Sequence, residues 1–378
     1  MKTADLPIVE LSGAGRARGH AYGEAQRERI AEVVACWSRQ LEVDQGLPAE
    51  AYLAEFLRKT NFLPAIRQHA PDLLDEIEGI AEAANQPFDT ILALNLMDEE
   101  WWFGEQRRAA AGGEDRGDKC TALGIAGEGA RPTYLAQNMD IAAWSEGRQV
   151  LLRVKSEDGL ERLIFSFAGL ISLMGMNSAG VGVCCNTLIR LSRSRKGLPV
   201  AFVSRSVLGQ KSFDAAVRFL KNVPHASGQN YILGGDGRVV SLECSAHAVA
   251  EYWPEPGDQG RVWHTNHALA NTDEAPIALG AYRRSPENSL ARHACADRHV
   301  RAMGAEPGVE AIKALLASRE DRDHPVSRRL NPEGGVMGYT SGSVIYALGP
   351  EPYLEIAPGP PNETDYRRVD FTPEDLAR

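Results

Sequence analysis

The texture of this chain changes at Cys120, and the change narrows the folds open to it. Upstream, apolar residues recur at helical spacing, with Ile30, Val33, Val34, Trp37 and Leu41 on one face and Leu73, Leu74, Ile77 and Ile80 on another. Downstream come short β-type runs, CTALGIAG, TYLAQNMD, QVLLRVKS, LERLIFSFAG, ISLMGM and VGVCCNTL, separated by turn signals such as Asp158-Gly159 and Asn177-Ser178-Ala179-Gly180. A helical first third followed by strand and helix blocks, without regular βαβ alternation, predicts an α+β layered domain and not a doubly wound sheet.

The same patterns predict a strand at 8–13 and helices at 51–57, 71–84 and 90–97, the last with Asp89 as its N-cap; Gly46 and Pro48 end the helix that contains Trp37. Helices are also predicted at 199–208, 212–221 and 288–303, with strands in YILGGDGRVVSLECS, VAEYW and VWHTNHAL and a closing hairpin, SVIYALGPEPYLEIA. Only residues 105–119, EQRRAAAGGEDRGDK, read as a linker.

Of 378 residues, 43% are hydrophobic and 24% charged, which is ordinary for a packed globular chain. The net charge of -10 argues against a nucleic-acid partner, and the basic stretch RLSRSRK at 190–196 reads as a solvated loop. No basic start followed by an apolar segment is present, nor any apolar run near the ~20 residues that span a bilayer, so the expected location is the cytoplasm, with no membrane partner. Without a secretion signal, the six cysteines read as reduced thiols, most of them core packing.

Cys120 stands apart by position. If the Lys119–Cys120 bond is cut, the residue carries a thiol and an α-amine, whose reference pKa of about 7.7 to 8.0 leaves it substantially unprotonated near neutral pH. That amine can take the thiol proton and later deliver it to a leaving amine. Cys184 and Cys185 lie mid-strand and read as packing; Cys36 and Cys295 lie in helices with nothing spaced to activate them. His264 and His267, three apart in a predicted strand, face opposite sides and do not suggest a metal site, and no cofactor fingerprint occurs.

A set of ordered motifs adds to this reading: GRARGHAYGEAQRERI at 15–30, ILALNLMDEE at 91–100, CT at 120–121, QNMD at 137–140, GMNSAGVGVCCN at 175–186, HTNH at 264–267, PVSRR at 325–329 and LEIAPGPP at 354–361. In these the chain resembles the acyl-coenzyme A:6-aminopenicillanic acid (isopenicillin N) acyltransferase family of the N-terminal nucleophile (Ntn) hydrolases. The resemblance implies a four-layer αββα sandwich and a precursor cut before Cys120. The products would be a helical α chain, 1–119, and a β chain, 120–378, that stay associated as one domain.

It further implies that Asp140 orients the nucleophile, that Asn266 donates to the oxyanion, and that Arg328 is the active-site arginine, with Arg329 as the alternative register. Asn186 and Thr121 are further site contacts in this reading; Glu243 is a family-like position without an assigned role. Trp101 and Trp102 are candidate acyl-pocket walls, with core packing the alternative. Lys119 stands where the family often has a small residue, and Met97 where relatives often carry Arg. The expected activity is hydrolysis of a linear amide or N-acyl small molecule through a thioester on Cys120, with no cofactor and no metal. The alternatives are acyl transfer to another amine and an uncut, non-catalytic relative.

Overall fold

The computed structural model describes residues 5–110, 120–255, 260–275, 286–331 and 338–372. After strand β1 (Ile8–Ser12) come the helices α1 (Gly15–Ala25), α2 (Arg27–Gln45), α3 (Ala49–Thr60), α4 (Leu63–His69), α5 (Pro71–Ala84), α6 (Phe88–Leu94) and α7 (Met97–Ala110). Gly46 ends α2 in the left-handed conformation at φ +68°, as its place in the sequence suggested. Asp89 lies in the first turn of α6, with Pro87 at the cap. Residues 105–110 are not linker but the last turns of α7; 111–119, including Lys119, lie outside the described residues.

From Cys120 the strands follow: β2 (Thr121–Ile125), β3 (Thr133–Ile141), β4 (Gln149–Lys155), β5 (Glu161–Phe167), β6 (Met174–Asn177) and β7 (Gly182–Thr187). Two helices, α8 (Val200–Val207) and α9 (Phe213–Asn222), precede β8 (Gln229–Gly235), β9 (Arg238–Cys244), β10 (Val249–Tyr252) and β11 (Arg261–His264). The chain continues through α10 (Glu287–Ala302), α11 (Val309–Leu316), β12 (Tyr339–Leu348), β13 (Tyr353–Ala357) and β14 (Arg367–Asp370).

These strands form an eight-stranded sheet, β1-β4-β5-β6-β7-β8-β9-β10, and a six-stranded sheet, β11-β2-β3-β12-β13-β14. Among these strands β1 and β4 pair in parallel, and the other pairings are antiparallel. The sheets meet face to face through β2 and β3 against β7 and β8. Helices α8 and α9 pack on the larger sheet, and α10 and α11 on the smaller. The architecture is therefore α+β, with two sheets between helical layers. Close approach of the sheets needs Gly342, where a Cβ would lie 2.3 Å from the Phe165 ring.

The motif at 15–30 has a packing reason. Gly15, Gly19 and Gly23 recur every four residues along the α1 face that meets α5, and a Cβ on Gly19 would lie 1.9 Å from the Glu76 carbonyl oxygen. Gly79 supplies the matching gap on α5, where a Cβ would lie 2.2 Å from the Arg16 carbonyl oxygen. At this contact Arg18 Nε donates to buried Glu76 at 2.7 Å, and Arg205 of α8 reaches the same carboxylate at 3.2 Å.

Candidate active site

Cys120 sits one residue ahead of β2, whose Thr121 pairs with Asn138 of β3. Side chains alternate along this strand: Leu123 and Ile125 pack under α10 and α11, while Ala122 belongs to the main core that also holds Cys120. Thr121 thus turns toward α10 and Cys120 to the opposite layer. The residue is 7% exposed, with Sγ 3.6 Å from Met139 Sδ.

Asp140 follows Met139 on β3. Its Oδ1 accepts from Thr340 Oγ1 at 2.7 Å, and that same hydroxyl oxygen accepts from the Arg328 backbone N–H at 2.9 Å. The Arg328 side chain is buried; burial lowers its pKa, and the Asp140 charge opposes that shift. Arg329 is half-exposed and pairs with Glu363. Arg328 thus feels the Asp140 charge, while Arg329 is held by Glu363.

A narrow cavity with about 40 Å³ of water-accessible space is lined by Cys120, Asp140, Asp98, Glu99, Ser172 and Thr187, among others. Thr187 Oγ1 donates to Asp98 at 2.8 Å, and Ser227 Oγ donates to Glu99 at 2.8 Å. Burial first, and the Asp98 charge second, push the Glu99 carboxyl up to about 8; burial also raises Asp98.

Asn266 lies beyond the end of β11, because the strand stops at His264 and the expected longer strand gives way to a loop. Glu243, whose role the sequence left open, anchors this loop from β9. Its carboxylate accepts from His264 Nε2 at 2.8 Å and from the backbone N–H groups of Leu269, Ala270 and Asn271 at 2.7, 3.0 and 2.7 Å. Burial pushes that carboxyl up, but the bonds from His264, Asn271 and Ala270 outweigh it and hold its pKa below the ordinary value. His267 instead meets Ser289 Oγ at 2.8 Å, and burial, with His293 next, lowers its pKa to about 4. The two imidazoles thus have separate protein partners.

Arg292 is the residue that sequence reasoning missed. It is fully buried on α10, and its guanidinium donates to the Cys120 carbonyl oxygen, to Thr121 Oγ1 at 3.0 Å, to Asn266 Oδ1 at 2.9 Å and to Asn288 Oδ1 at 2.9 Å. One side chain therefore ties Cys120 and the start of β2 to the loop that carries Asn266. The only sequence signal was an arginine on a helix that packs against a sheet, which has no local signature of a site.

Asn186 is fully buried in β7 opposite Asn230, whose Nδ2 donates to its Oδ1 at 3.2 Å; the Asn186 Nδ2 has no partner. It does not line the Cys120 cavity, whereas its neighbours Cys185 and Thr187 do. Trp101 and Trp102 do not line it either: Trp102 borders a second cavity with Phe103, Lys59 and Arg193, and the Arg193 guanidinium lies 3.1 Å from its ring centre. Glu99 borders both cavities. Among the described residues one group of three possible metal ligands occurs, Cys295, His299 and Glu320, and each already meets a protein partner. No disulfide joins any of the six cysteines. No helix among the described residues is long and apolar enough to cross a membrane.

A family model described as acyl-coenzyme A:6-aminopenicillanic acid acyl-transferase matches residues 126–333, more than half of the chain. That span starts after Cys120 and contains Asp140, Asn186, Asn266, Arg292 and Arg328. The acyl-coenzyme A:6-aminopenicillanic-acid-acyltransferase 40 kDa form of Emericella nidulans is 25% identical over 341 residues, covering 89% of this chain and 88% of the relative. Among solved structures, a mutant of conjugated bile acid hydrolase from Clostridium perfringens has a TM-score of 0.43 at 12% identity, covering 68% of this chain and 94% of its own. Penicillin V acylase from Agrobacterium tumefaciens has a TM-score of 0.38 at 16% identity, covering 68% and 88%. At these scores the structural likenesses add nothing to what the sequence match gives.

Proposed function

We propose that this chain, which belongs to the acyl-coenzyme A:6-aminopenicillanic acid acyltransferase family within the Ntn hydrolases, is a self-activating cysteine amidohydrolase with Cys120 as its nucleophile. An enzyme of this family type performs cysteine-based amide or acyl-transfer chemistry. The finer reading rests on one observation, that Cys120 and Asp140 line a single cavity, and is supported by Arg292, which joins the Cys120 carbonyl to Asn266.

In the activation step the Cys120 thiol attacks the Lys119 carbonyl carbon. The C–N bond breaks, the acyl group moves from nitrogen to sulfur, and the nitrogen takes the thiol proton to become the free α-amine. Water then hydrolyses the thioester, leaving a carboxylate on Lys119 and restoring the thiol. The α chain, 1–119, and the β chain, 120–378, remain one domain, since α5, α6 and α2 share the main core with both sheets.

In turnover the α-amine accepts the thiol proton as sulfur attacks the substrate amide. The Asn266 amide donates to the oxyanion, a contribution of ~10²–10³ in rate. Asp140, coupled to Arg328, orients the amine. The protonated amine gives its proton to the leaving amine, and water releases the acid from the thioester. Transfer of the acyl group to a second amine is the alternative, favoured by the name of the Emericella nidulans relative.

The experiment is N-terminal sequencing and intact mass of purified protein. Two chains are expected, the larger beginning Cys-Thr; one uncut chain after long incubation sinks the proposal. Cys120→Ala stays uncut and inactive. Product analysis with and without an added amine acceptor separates hydrolysis from transfer.

A further inference from the structure

Strand β12 does not keep one register along β3. From Leu348 back to Gly342 the residues pair in step, with Gly342 opposite Met139, but the residue opposite Asp140 is Thr340. Ser341 is the extra residue of a bulge; pairing in step would have set it opposite Asp140 instead. A bulge beside a site re-aims a side chain. Here it brings the Thr340 hydroxyl to the carboxylate that shares a cavity with Cys120.

Thr340 is fully buried, and it is bonded to both Asp140 and Arg328. Its hydroxyl donates its single proton to Asp140 Oδ1 at 2.7 Å and accepts from the Arg328 N–H at 2.9 Å. Its own N–H donates to the Arg328 carbonyl at 3.0 Å. The two bonds to the Arg328 backbone fix the hydroxyl oxygen, so the Asp140 carboxylate meets a stationary donor. The hydroxyl bond lies outside the backbone ladder between β12 and β3, so strand pairing does not depend on it.

We propose that Thr340 is a positioning residue for the reaction at Cys120, its hydroxyl holding the Asp140 carboxylate ionised and turned toward the Cys120 α-amine. This rests on the reading of Cys120 as nucleophile and of Asp140 as the carboxylate that orients its amine. Once the α-amine has taken the thiol proton, the ammonium stabilises the thiolate. A carboxylate fixed beside that ammonium keeps it charged and in place. Without the Thr340 hydroxyl the carboxylate loses a donor to its charged form and holds the ammonium less firmly.

The test is the pH dependence of Cys120 alkylation by iodoacetamide in the purified, self-cleaved protein. The sulfur displaces iodide from the CH₂ carbon, the thiol proton passes to the α-amine, and the adduct is located by mass spectrometry. In Thr340→Val, which keeps the shape and removes the hydroxyl, the midpoint of the profile is expected to rise by about one pH unit, slowing labelling below it about tenfold. Thr340→Ala gives the same reading should the valine variant not fold. Thr340→Ser is expected to keep the profile of the unaltered protein. Asp140→Asn is expected to shift it at least as far as Thr340→Val, and the two changes together no further than Asp140→Asn alone. Asp98, Glu99 and Cys185, which also line the cavity, and Arg292 and Arg328 are the same in every variant. Where a variant stays uncut, cleavage is the readout, because the same thiol performs it. Loss in Thr340→Val and Asp140→Asn with retention in Thr340→Ser then supports the inference, and loss in Thr340→Val with retention in Asp140→Asn overturns it. An unmoved midpoint without the hydroxyl, a Thr340→Ser profile shifted like that of Thr340→Val, or a further shift in the double variant also overturns it and leaves the cysteine reading intact. An unaltered protein that stays uncut, or an Asp140→Asn profile that does not move, overturns both.

Discussion

Arg292 Nη2 donates to Asn266 Oδ1 at 2.9 Å, and this contact fixes which way the Asn266 amide faces. With its oxygen held, the amide nitrogen is the end left to donate, and it reaches the Thr187 carbonyl at 3.2 Å. The same guanidinium holds the Cys120 carbonyl, so one buried cation ties Cys120 to Asn266.

Arg292→Lys keeps the charge but loses the planar fork that spans these acceptors. It is expected to lower kcat by on the order of 10² with KM changed little, because the effect falls on the transition state. Steady-state kinetics decide it; a rise in KM at unchanged kcat would assign Arg292 to substrate binding instead. Arg292→Ala strands several buried acceptors and is expected to cost stability as well.

Glu243→Gln tests the anchor of the Asn266 loop. The carboxylate accepts from His264 and three backbone N–H groups, and its native pKa lies below the ordinary carboxyl value of 4.5. The stability it contributes is fully present above the unfolded-state value and is lost as pH falls through the depressed native one. The variant is expected to lose about 2–4 kcal/mol near neutral pH. Its stability, measured by denaturant titration, should also depend less steeply on pH below 4.5 than that of the unaltered protein.

Glu99 has the opposite sign. Its carboxyl is raised from 4.5 to about 8, so the native state keeps a proton that the unfolded chain has released. The contribution of Glu99 to stability therefore declines as pH rises from 4.5 to about 8. Glu99→Gln should flatten that decline; an unaltered slope in thermal melts across this range would show that Glu99 is not its source.

Gly19→Ala places a methyl group 1.9 Å from the Glu76 carbonyl, a backbone atom with no room to yield. Parting α1 from α5 is expected to cost about 3 kcal/mol or more. The denaturation midpoint should fall accordingly, and an unchanged midpoint would mean that the helices separate freely.

Helix α5 was readable to the residue, Pro71–Ala84, because its apolar spacing and Pro71 are local signals. Strand β11 was read too long, because HTNHAL has strand-like composition while the Glu243 carboxylate, distant in sequence, binds the backbone N–H groups that follow. Residues 105–110 read as part of a polar, glycine-rich linker, yet Arg107 and Glu105 find ion-pair partners in helical geometry.

The order of elements, the position of Cys120 at the start of a strand, and the family motifs that nominate Asp140, Asn266 and Arg328 are all legible in the chain. These follow from periodicity and from residues close along the chain. That Arg292 bridges Cys120 and Asn266, that Trp102 borders a different cavity, and that Asp98 and Glu99 share the cavity of the thiol emerges from folding alone. Those relationships depend on how α7 and α10 pack against the sheets, and such packing is set by many long-range contacts at once, none of which leaves a local pattern in the chain.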